Sequence, residues 1–175
     1  DETIVDVKFS GASWLGDEGF YYSSYDKPKG SELSAKTDMH KVYFHKLGTK
    51  QSQDKLIVGG ENFKRRYMGI GVSDDERFEI LSASDATSGN ELYIKDLKKK
   101  TDFVPVQKGY DFNTDFIDSK GDFIYALTDK NAPNMRLIKF NINQPDVWID
   151  VIPQTENVLS VSTGGGYIFA KYMKD

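Results

Sequence analysis

The chain has 175 residues, of which 38% are hydrophobic, 29% charged and 13% aromatic, and its formal net charge is −4. This balance is typical of a globular protein rather than a disordered one, and the lack of a basic surplus argues against nucleic acid as a partner. There is no cysteine, which excludes disulfides and thiolate metal sites and is compatible with either a cytoplasmic or a periplasmic location. No apolar run approaches the roughly 18 residues of a membrane helix, so no membrane partner is expected.

The first predicted elements form a hairpin near the start of the chain. Residues 14–15 are apolar, residues 16–19 form a polar turn with two glycines, and residues 20–22 are all aromatic. Turn residues that tolerate positive φ between two apolar segments are typical of a β-hairpin. A third strand is predicted over residues 42–45 and a weaker closing strand over residues 56–58.

The same order of elements recurs along the rest of the chain. Each later unit begins with a hairpin in which an aromatic residue follows the polar turn, and these aromatic positions are Phe20, Phe78, Phe123 and Tyr167. The first two lie about 58 residues apart and the others about 45, and four short strands in about 45 residues are typical of a β-propeller blade. The later predicted segments are hairpins over 72–80, 117–125 and 161–169, third strands over 92–95 and 136–139, and closing strands over 103–106 and 147–151.

We therefore predict an all-β fold, a partial β-propeller of about three and a half four-stranded antiparallel blades. The predicted blades cover residues 4–60, 67–108, 110–153 and 157–175. Closed propellers usually have ~4–8 blades, and the chain opens without an initiator methionine, so we expect a segment of a larger protein. Because an end blade leaves an apolar face uncovered, we also expect self-association through exposed blade faces.

No catalytic, metal or cofactor motif is complete. Ser13 lies near two glycines, but the spacing differs from that of a hydrolase nucleophile elbow. The two histidines, His40 and His45, lie just before and within the third predicted strand, and blade packing or solvent exposure explains them better than catalysis. Residues 111–115 begin like a calcium loop, but the glycine and glutamate that such a loop needs are missing, and a strand over 111–117 is favoured. We predict no catalytic residue, no metal and no cofactor.

One connection is longer than its counterparts. Residues 26–39, between the second and third strands, are polar, whereas the matching connections at 85–90 and 130–134 are short. This insertion accounts for the wider first spacing. Long polar loops in compact domains are often functional, so we expect this one to face a partner or substrate.

Several segments together resemble the propeller domain of the prolyl oligopeptidase family. The resemblance is carried by residues 8–14 (KFSGASW), 20–22 (FYY) and 40–49 (HKVYFHKLGT), and it continues through 72–78 (VSDDERF) and 134–138 (NMRLI). In that family a seven-bladed propeller caps an α/β-hydrolase domain that carries a Ser-Asp-His triad and cleaves short peptides after proline. The resemblance thus implies a non-catalytic cap fragment that gates access to a serine endopeptidase. Its partners would be its own hydrolase domain and short proline-containing peptides.

The resemblance also implies candidate site residues. Phe9 stands where the family has a substrate-facing phenylalanine and Met68 where it has a methionine, and Thr87 falls near a third such position after a one-residue gap. Because antiparallel strands alternate in direction, all three positions and the insertion are expected on one propeller face. Packing between blades is the alternative for Phe9 and Met68. The insertion supplies the candidate gating residues Ser31, Glu32, Ser34, Lys36 and Thr37.

Two other functions fit the same pattern. The chain could be the cap of a related serine peptidase, such as an oligopeptidase B or a dipeptidyl peptidase, which would differ in the hydrolase pocket. It could also be a non-enzymatic propeller that binds proteins or glycans. Regular short loops and a complete ring would favour that second alternative, and this chain has neither.

Overall fold

The computed structural model describes residues 2–7, 9–25 and 39–173 of the chain. Fourteen β-strands and two short 3-10 helices make up the regular structure of this part, which confirms the predicted all-β class. Within the same residues, no helix has the length and apolar character needed to cross a membrane. The chain divides into two compact units, Asp1–Thr87 and Ser88–Asp175.

The first unit contains a four-stranded antiparallel sheet and a further hairpin. Its strands are β1 (Ser13–Leu15), β2 (Gly19–Ser24), β3 (Lys41–Lys46), β4 (Lys55–Gly59), β5 (Tyr67–Val72) and β6 (Phe78–Ser84), with 3-10 helices at Gln51–Gln53 and Gly60–Asn62. The sheet has the order β1-β2-β3-β4, and Trp14 pairs with Phe20 across its first hairpin. Gly16 in that turn has a φ of 49°, a conformation that glycine adopts without a steric penalty. The predicted first hairpin is therefore confirmed.

Apolar side chains join the sheet of the first unit to the hairpin that follows it. Strands β1, β2 and β3 all contact β5. Val42 on β3 and Phe78 on β6 are fully buried, and Leu81 is nearly so. Burying each such side chain contributes about 1.5–3 kcal/mol, so these residues belong to the apolar core of the first unit.

The second unit also contains a four-stranded antiparallel sheet and a hairpin. Its strands are β7 (Glu91–Asp96), β8 (Val104–Gln107), β9 (Thr114–Lys120), β10 (Phe123–Thr128), β11 (Arg136–Asn141), β12 (Gln144–Ile152), β13 (Val158–Gly164) and β14 (Tyr167–Met173). β9 to β12 form a four-stranded antiparallel sheet, and β13 and β14 form a hairpin. Together with β1 to β4, the sheet β9 to β12 confirms the predicted four-stranded antiparallel blade.

The strand predicted over residues 111–117 begins later than expected, at Thr114. Asn113 explains the difference, because its backbone N–H and its side-chain amide both donate to the Asp129 carboxylate, at 2.7 and 2.6 Å. This local pairing competes with the strand ladder. The side chain of Asn113 is thus bonded to Asp129. The described residues contain no cluster of acidic and histidine side chains suited to a metal ion.

Several apolar side chains of the second unit lie at its surface. Val147 and Ile149 on β12 and Tyr167, Phe169 and Met173 on β14 are each about half exposed or more. These strands would supply the surfaces for the predicted self-association, which stays a prediction, as do the individual blade boundaries.

Candidate functional site

A cleft in the first unit brings two of the predicted substrate-facing residues together. It has a volume of about 170 Å³ and lies between β2, β5 and the segment that precedes β1. Aromatic, aliphatic and small hydroxyl side chains share its surface with glycine backbone. The described residues that line it are Phe9, Ser10, Gly11, Ala12, Ser13, Tyr21, Tyr22, Ser23, Met68, Gly69 and Ile70.

Phe9 stands at the edge of this cleft in an uncommon backbone conformation. Its φ is 52°, a region that few non-glycine residues occupy. The chain is tied to β2 on both sides of it, since Val7 forms an isolated bridge with Ser24 and the Ser10 hydroxyl accepts the Ser23 N–H at 2.7 Å. The Phe9 ring is 61% exposed and packs edge-on against Tyr67, with 5.8 Å between ring centroids. The fold therefore presents this ring at the surface.

Met68 forms the opposite, buried side of the cleft, with only 3% of its surface exposed. Its backbone N–H donates to Nδ1 of His40 at 2.7 Å, and its carbonyl accepts the Ser23 hydroxyl at 2.8 Å. The side chains of Ser23 on β2 and of His40, which precedes β3, therefore hold the backbone of Met68 in place.

Tyr21 contributes a rigid aromatic wall. Its hydroxyl donates to the carboxylate of Glu79, which is 2% exposed. Burial, and then the hydrogen bond and charge of Glu79, raise the pKa of Tyr21 well above its usual value. Tyr21 therefore stays neutral, and its hydroxyl is committed to Glu79.

The other predicted site residues are not among the described residues that line the cleft. Thr87 is exposed in the bend that follows β6 and is not among the described residues of the cleft. The candidate gating residues Ser31, Glu32, Ser34, Lys36 and Thr37 lie outside the described residues. The substrate-facing and gating roles therefore stay predictions.

A cluster of hydrogen-bonded polar side chains lies beside the cleft, around the buried side chain of His45 on β3. Its Nδ1 lies 2.7 Å from Oδ1 of Asp54 and its Nε2 lies 3.4 Å from Oε2 of Glu2, while the Tyr22 hydroxyl donates to Oδ2 of Asp54 at 2.8 Å. Burial alone would lower the pKa of His45, but hydrogen bonds and charge from Asp54, and then from Glu2, raise it above 6.5. Burial and the bond to Asp54 raise the pKa of Tyr22 to about 12.

The His45 cluster anchors the segment that carries Phe9. Besides the contact between His45 and Glu2, Gln51 makes two hydrogen bonds with the backbone of Val5, accepting its N–H at 3.1 Å and donating to its carbonyl at 2.9 Å. Residues 2–7 are thereby fastened to β3 and the helix that follows it. The sequence predicts packing or solvent exposure for His45, and no local pattern indicates its contact with Glu2, which lies 43 residues away.

Aromatic rings, aliphatic side chains and a few hydroxyl groups form the lining of the cleft. None of the described residues that line it is a histidine, aspartate or glutamate. The hydroxyl of Ser23 is already bonded to the Met68 carbonyl. Apolar rings with a few oriented polar groups are typical of ligand-binding clefts.

Comparison with known proteins agrees with this description. The family model for the N-terminal β-propeller domain of prolyl oligopeptidase matches residues 1–175. Two prolyl endopeptidases, from Elizabethkingia meningoseptica and Elizabethkingia miricola, are 64% and 61% identical over the whole chain, which covers 25% of each. A solved prolyl endopeptidase structure superposes with a TM-score of 0.84 at 26% identity, over 97% of this chain and 25% of that one. The chain thus spans about a quarter of these relatives, and it belongs to the family of prolyl oligopeptidase N-terminal β-propeller domains.

Proposed function

We propose that this chain is a non-catalytic part of the propeller of a proline-specific serine endopeptidase and that its cleft contacts the peptide substrate. The observation that carries the proposal is the cleft itself, which joins Phe9 and Met68 and is lined, among the described residues, by no acid or base. The similarity to prolyl endopeptidases over the entire chain supports the assignment of the activity to the whole protein.

In this proposal the cleft acts on substrate binding. The exposed Phe9 ring and the buried Met68 side chain supply apolar surface at two depths. An apolar peptide side chain that enters between them would lose its contact with water and would be held by dispersion and aromatic packing. Such contacts favour peptides that extend from the scissile proline toward the propeller.

The proposal also includes control of access. The insertion at residues 26–39 begins after Tyr25, whose hydroxyl donates to the Arg66 carbonyl at 2.7 Å, close in sequence to the cleft residue Met68. An insertion attached beside a substrate cleft is well placed to limit the size of the peptide that enters. We therefore propose that the propeller admits short peptides and excludes folded proteins.

The experiment that tests this function uses the full-length protein. We expect a fluorophosphonate probe to label it, and we expect it to cleave a ten-residue peptide after its single proline. The same ten residues placed in a surface loop of a folded protein should resist cleavage, and the peptide with alanine in place of proline should also resist. Absence of probe labelling would contradict the peptidase assignment, and rapid cleavage of the folded protein would contradict control of access.

Replacing Phe9 by alanine in the full-length enzyme tests the substrate contact. We expect KM for apolar peptides to rise by about five- to tenfold, because an aromatic contact contributes about 1–1.5 kcal/mol, while kcat changes little. Leu56→Ala is the matched control, since Leu56 is an exposed apolar residue on β4 that does not line the cleft. Equal KM values for the wild type and Phe9→Ala would show that Phe9 does not contact substrate.

A further inference from the structure

His40 is a buried residue that the sequence analysis assigned to packing or exposure. It precedes β3, and only 1% of its surface is exposed. Its backbone N–H donates to the Arg65 carbonyl at 2.9 Å and its carbonyl accepts the Gly60 N–H at 3.3 Å. Its ring nitrogen Nδ1 accepts the backbone N–H of Met68 at 2.7 Å. One residue therefore links the end of the first sheet to the segment that enters β5.

The backbone of Met68 depends on this contact because of its place in the sheet. Met68 pairs with Ala83 on β6, and among the described strands β6 alone is hydrogen-bonded to β5. The N–H and carbonyl of one residue point to the same side of a strand, and those of Met68 reach His40 and Ser23, so they point away from β6. A buried backbone donor without an acceptor is destabilising, and His40 supplies that acceptor.

The hydrogen bond from Met68 also defines the protonation state of the His40 ring. Nδ1 accepts a hydrogen bond from an amide N–H, so Nδ1 carries no hydrogen and the ring is the neutral tautomer with its hydrogen on Nε2. A side chain that lacks an acceptor at this position cannot replace the bond, whereas the side-chain oxygen of asparagine lies at a comparable distance from the backbone.

Tyr25 contacts both His40 and the segment that enters β5. Its ring stacks on the His40 ring with 4.2 Å between centroids and an angle of 20° between planes, and its hydroxyl donates to the Arg66 carbonyl at 2.7 Å. A Cβ atom on Gly59 would lie 2.7 Å from Cε of Met68 and 2.2 Å from the His40 carbonyl oxygen. The end of the Met68 side chain therefore packs against the backbone at Gly59, beside the His40 carbonyl.

We propose that His40 is a positioning residue for substrate binding. Through Nδ1 it holds the backbone of Met68, and thereby the Met68 side chain, in the orientation that receives an apolar residue of the peptide. This inference rests on the proposed function of the cleft. It predicts that His40 affects the binding of peptides that reach Met68 and leaves the chemical step unchanged.

The test uses the full-length enzyme and a series of proline peptides of two to six residues with an apolar residue at the end distant from the scissile bond. Met68→Ala identifies which peptides depend on the cleft. For those peptides we expect His40→Phe, which keeps a ring against Tyr25 but removes the acceptor, to raise KM by about fivefold with kcat within about twofold of the wild type. His40→Asn restores an acceptor and is expected to recover most of the affinity.

Amide hydrogen exchange provides a second measurement that needs no substrate. We expect the backbone amides of residues 67–70 to exchange faster in His40→Phe than in the wild type, because the Met68 amide has lost its acceptor. His45→Phe is the matched control, since His45 is equally buried but bonds to Asp54 and Glu2 instead of Met68. It is expected to lower stability without faster exchange at 67–70, because no contact of His45 involves the Met68 amide.

The outcomes separate this inference from the function on which it rests. If Met68→Ala raises KM for the longer peptides and His40→Phe does not, His40 has only a structural role and the inference is wrong. Unchanged exchange at 67–70 in His40→Phe also overturns it. If Met68→Ala leaves KM unchanged for every peptide, the proposed function of the cleft is wrong and the inference is overturned with it.

Discussion

Replacing Gly89 by alanine is expected to lower the free energy of unfolding by roughly 3–5 kcal/mol. Because domains are stable by only about 5–15 kcal/mol, a loss of this size removes a large part of the total. Gly89 has a φ of 76°, and a Cβ atom there would lie 1.8 Å from the backbone oxygen of Tyr110. Its N–H donates to the Asn113 side chain at 2.8 Å. A left-handed alanine costs about 1–2 kcal/mol, and the clash with rigid backbone adds the rest.

Gly109→Ala is the matched control for Gly89→Ala. Gly109 also has a positive φ, 82°, but a Cβ atom there would meet nothing within 4 Å. Its replacement should therefore cost only the conformational part, about 1–2 kcal/mol. Urea unfolding of the two variants, followed by tryptophan fluorescence, measures the difference. Equal losses in stability would show that the close approach to Tyr110 is relieved by a small backbone shift.

Replacing Asp54 by alanine is expected to destabilise the protein by about 3–5 kcal/mol, because it leaves the buried ring of His45 without its closest carboxylate. The Asp54 side chain is 2% exposed, and it also accepts the hydroxyl of Tyr22. Asp150→Ala is the control, since Asp150 pairs with Arg136 at 2.8 Å but is 42% exposed. An exposed pair contributes at most about 1 kcal/mol. Thermal unfolding of the full-length variants distinguishes the two cases.

The loss in Asp54→Ala is also expected to depend on pH. Because the pKa of His45 is raised in the folded protein, the folded state binds the proton more tightly than the unfolded state does. The stabilisation by charged His45 is therefore complete below pH 6.5 and is lost as pH rises through the folded pKa. The difference in Tm between wild type and Asp54→Ala should be largest near pH 6 and smaller at pH 9. A difference that stays constant from pH 5.5 to 9 would show that His45 is not charged in the folded protein.

The contacts of His45 also support the segment that leads to Phe9 at the cleft. Glu2, one partner of His45, belongs to the segment that leads to Phe9, and Gln51 holds the same segment through Val5. The pH-dependent part of the stability therefore lies in contacts that support the exposed ring of Phe9. The two histidines of the chain thus support opposite sides of one cleft, with His45 on the side of Phe9 and His40 bonded to Met68.

The strands and hairpins of this protein could be predicted from its sequence because the interactions that form them are local. Phe20, Phe78, Phe123 and Tyr167 each begin or occupy the early part of a strand that follows a turn rich in polar residues and glycine. Antiparallel hairpins bring together residues that are close in the chain, so turn residues and aromatic spacing are enough to place them. The resemblance of the same segments to prolyl oligopeptidase propellers then led to Phe9 and Met68, which lie together in the cleft.

The cleft around these two residues depends on contacts that no local pattern contains. His40 reaches Met68 across 28 residues of sequence, and Tyr21 reaches Glu79 across 58. The onset of β9 at Thr114 instead of residue 111 likewise follows from the distant carboxylate of Asp129. Sequence alone determined the repeating strands, since turn chemistry and alternation act over a few residues. Only the tertiary structure decided which buried polar groups meet, because a hydrogen bond between distant segments depends on how whole strands pack against each other.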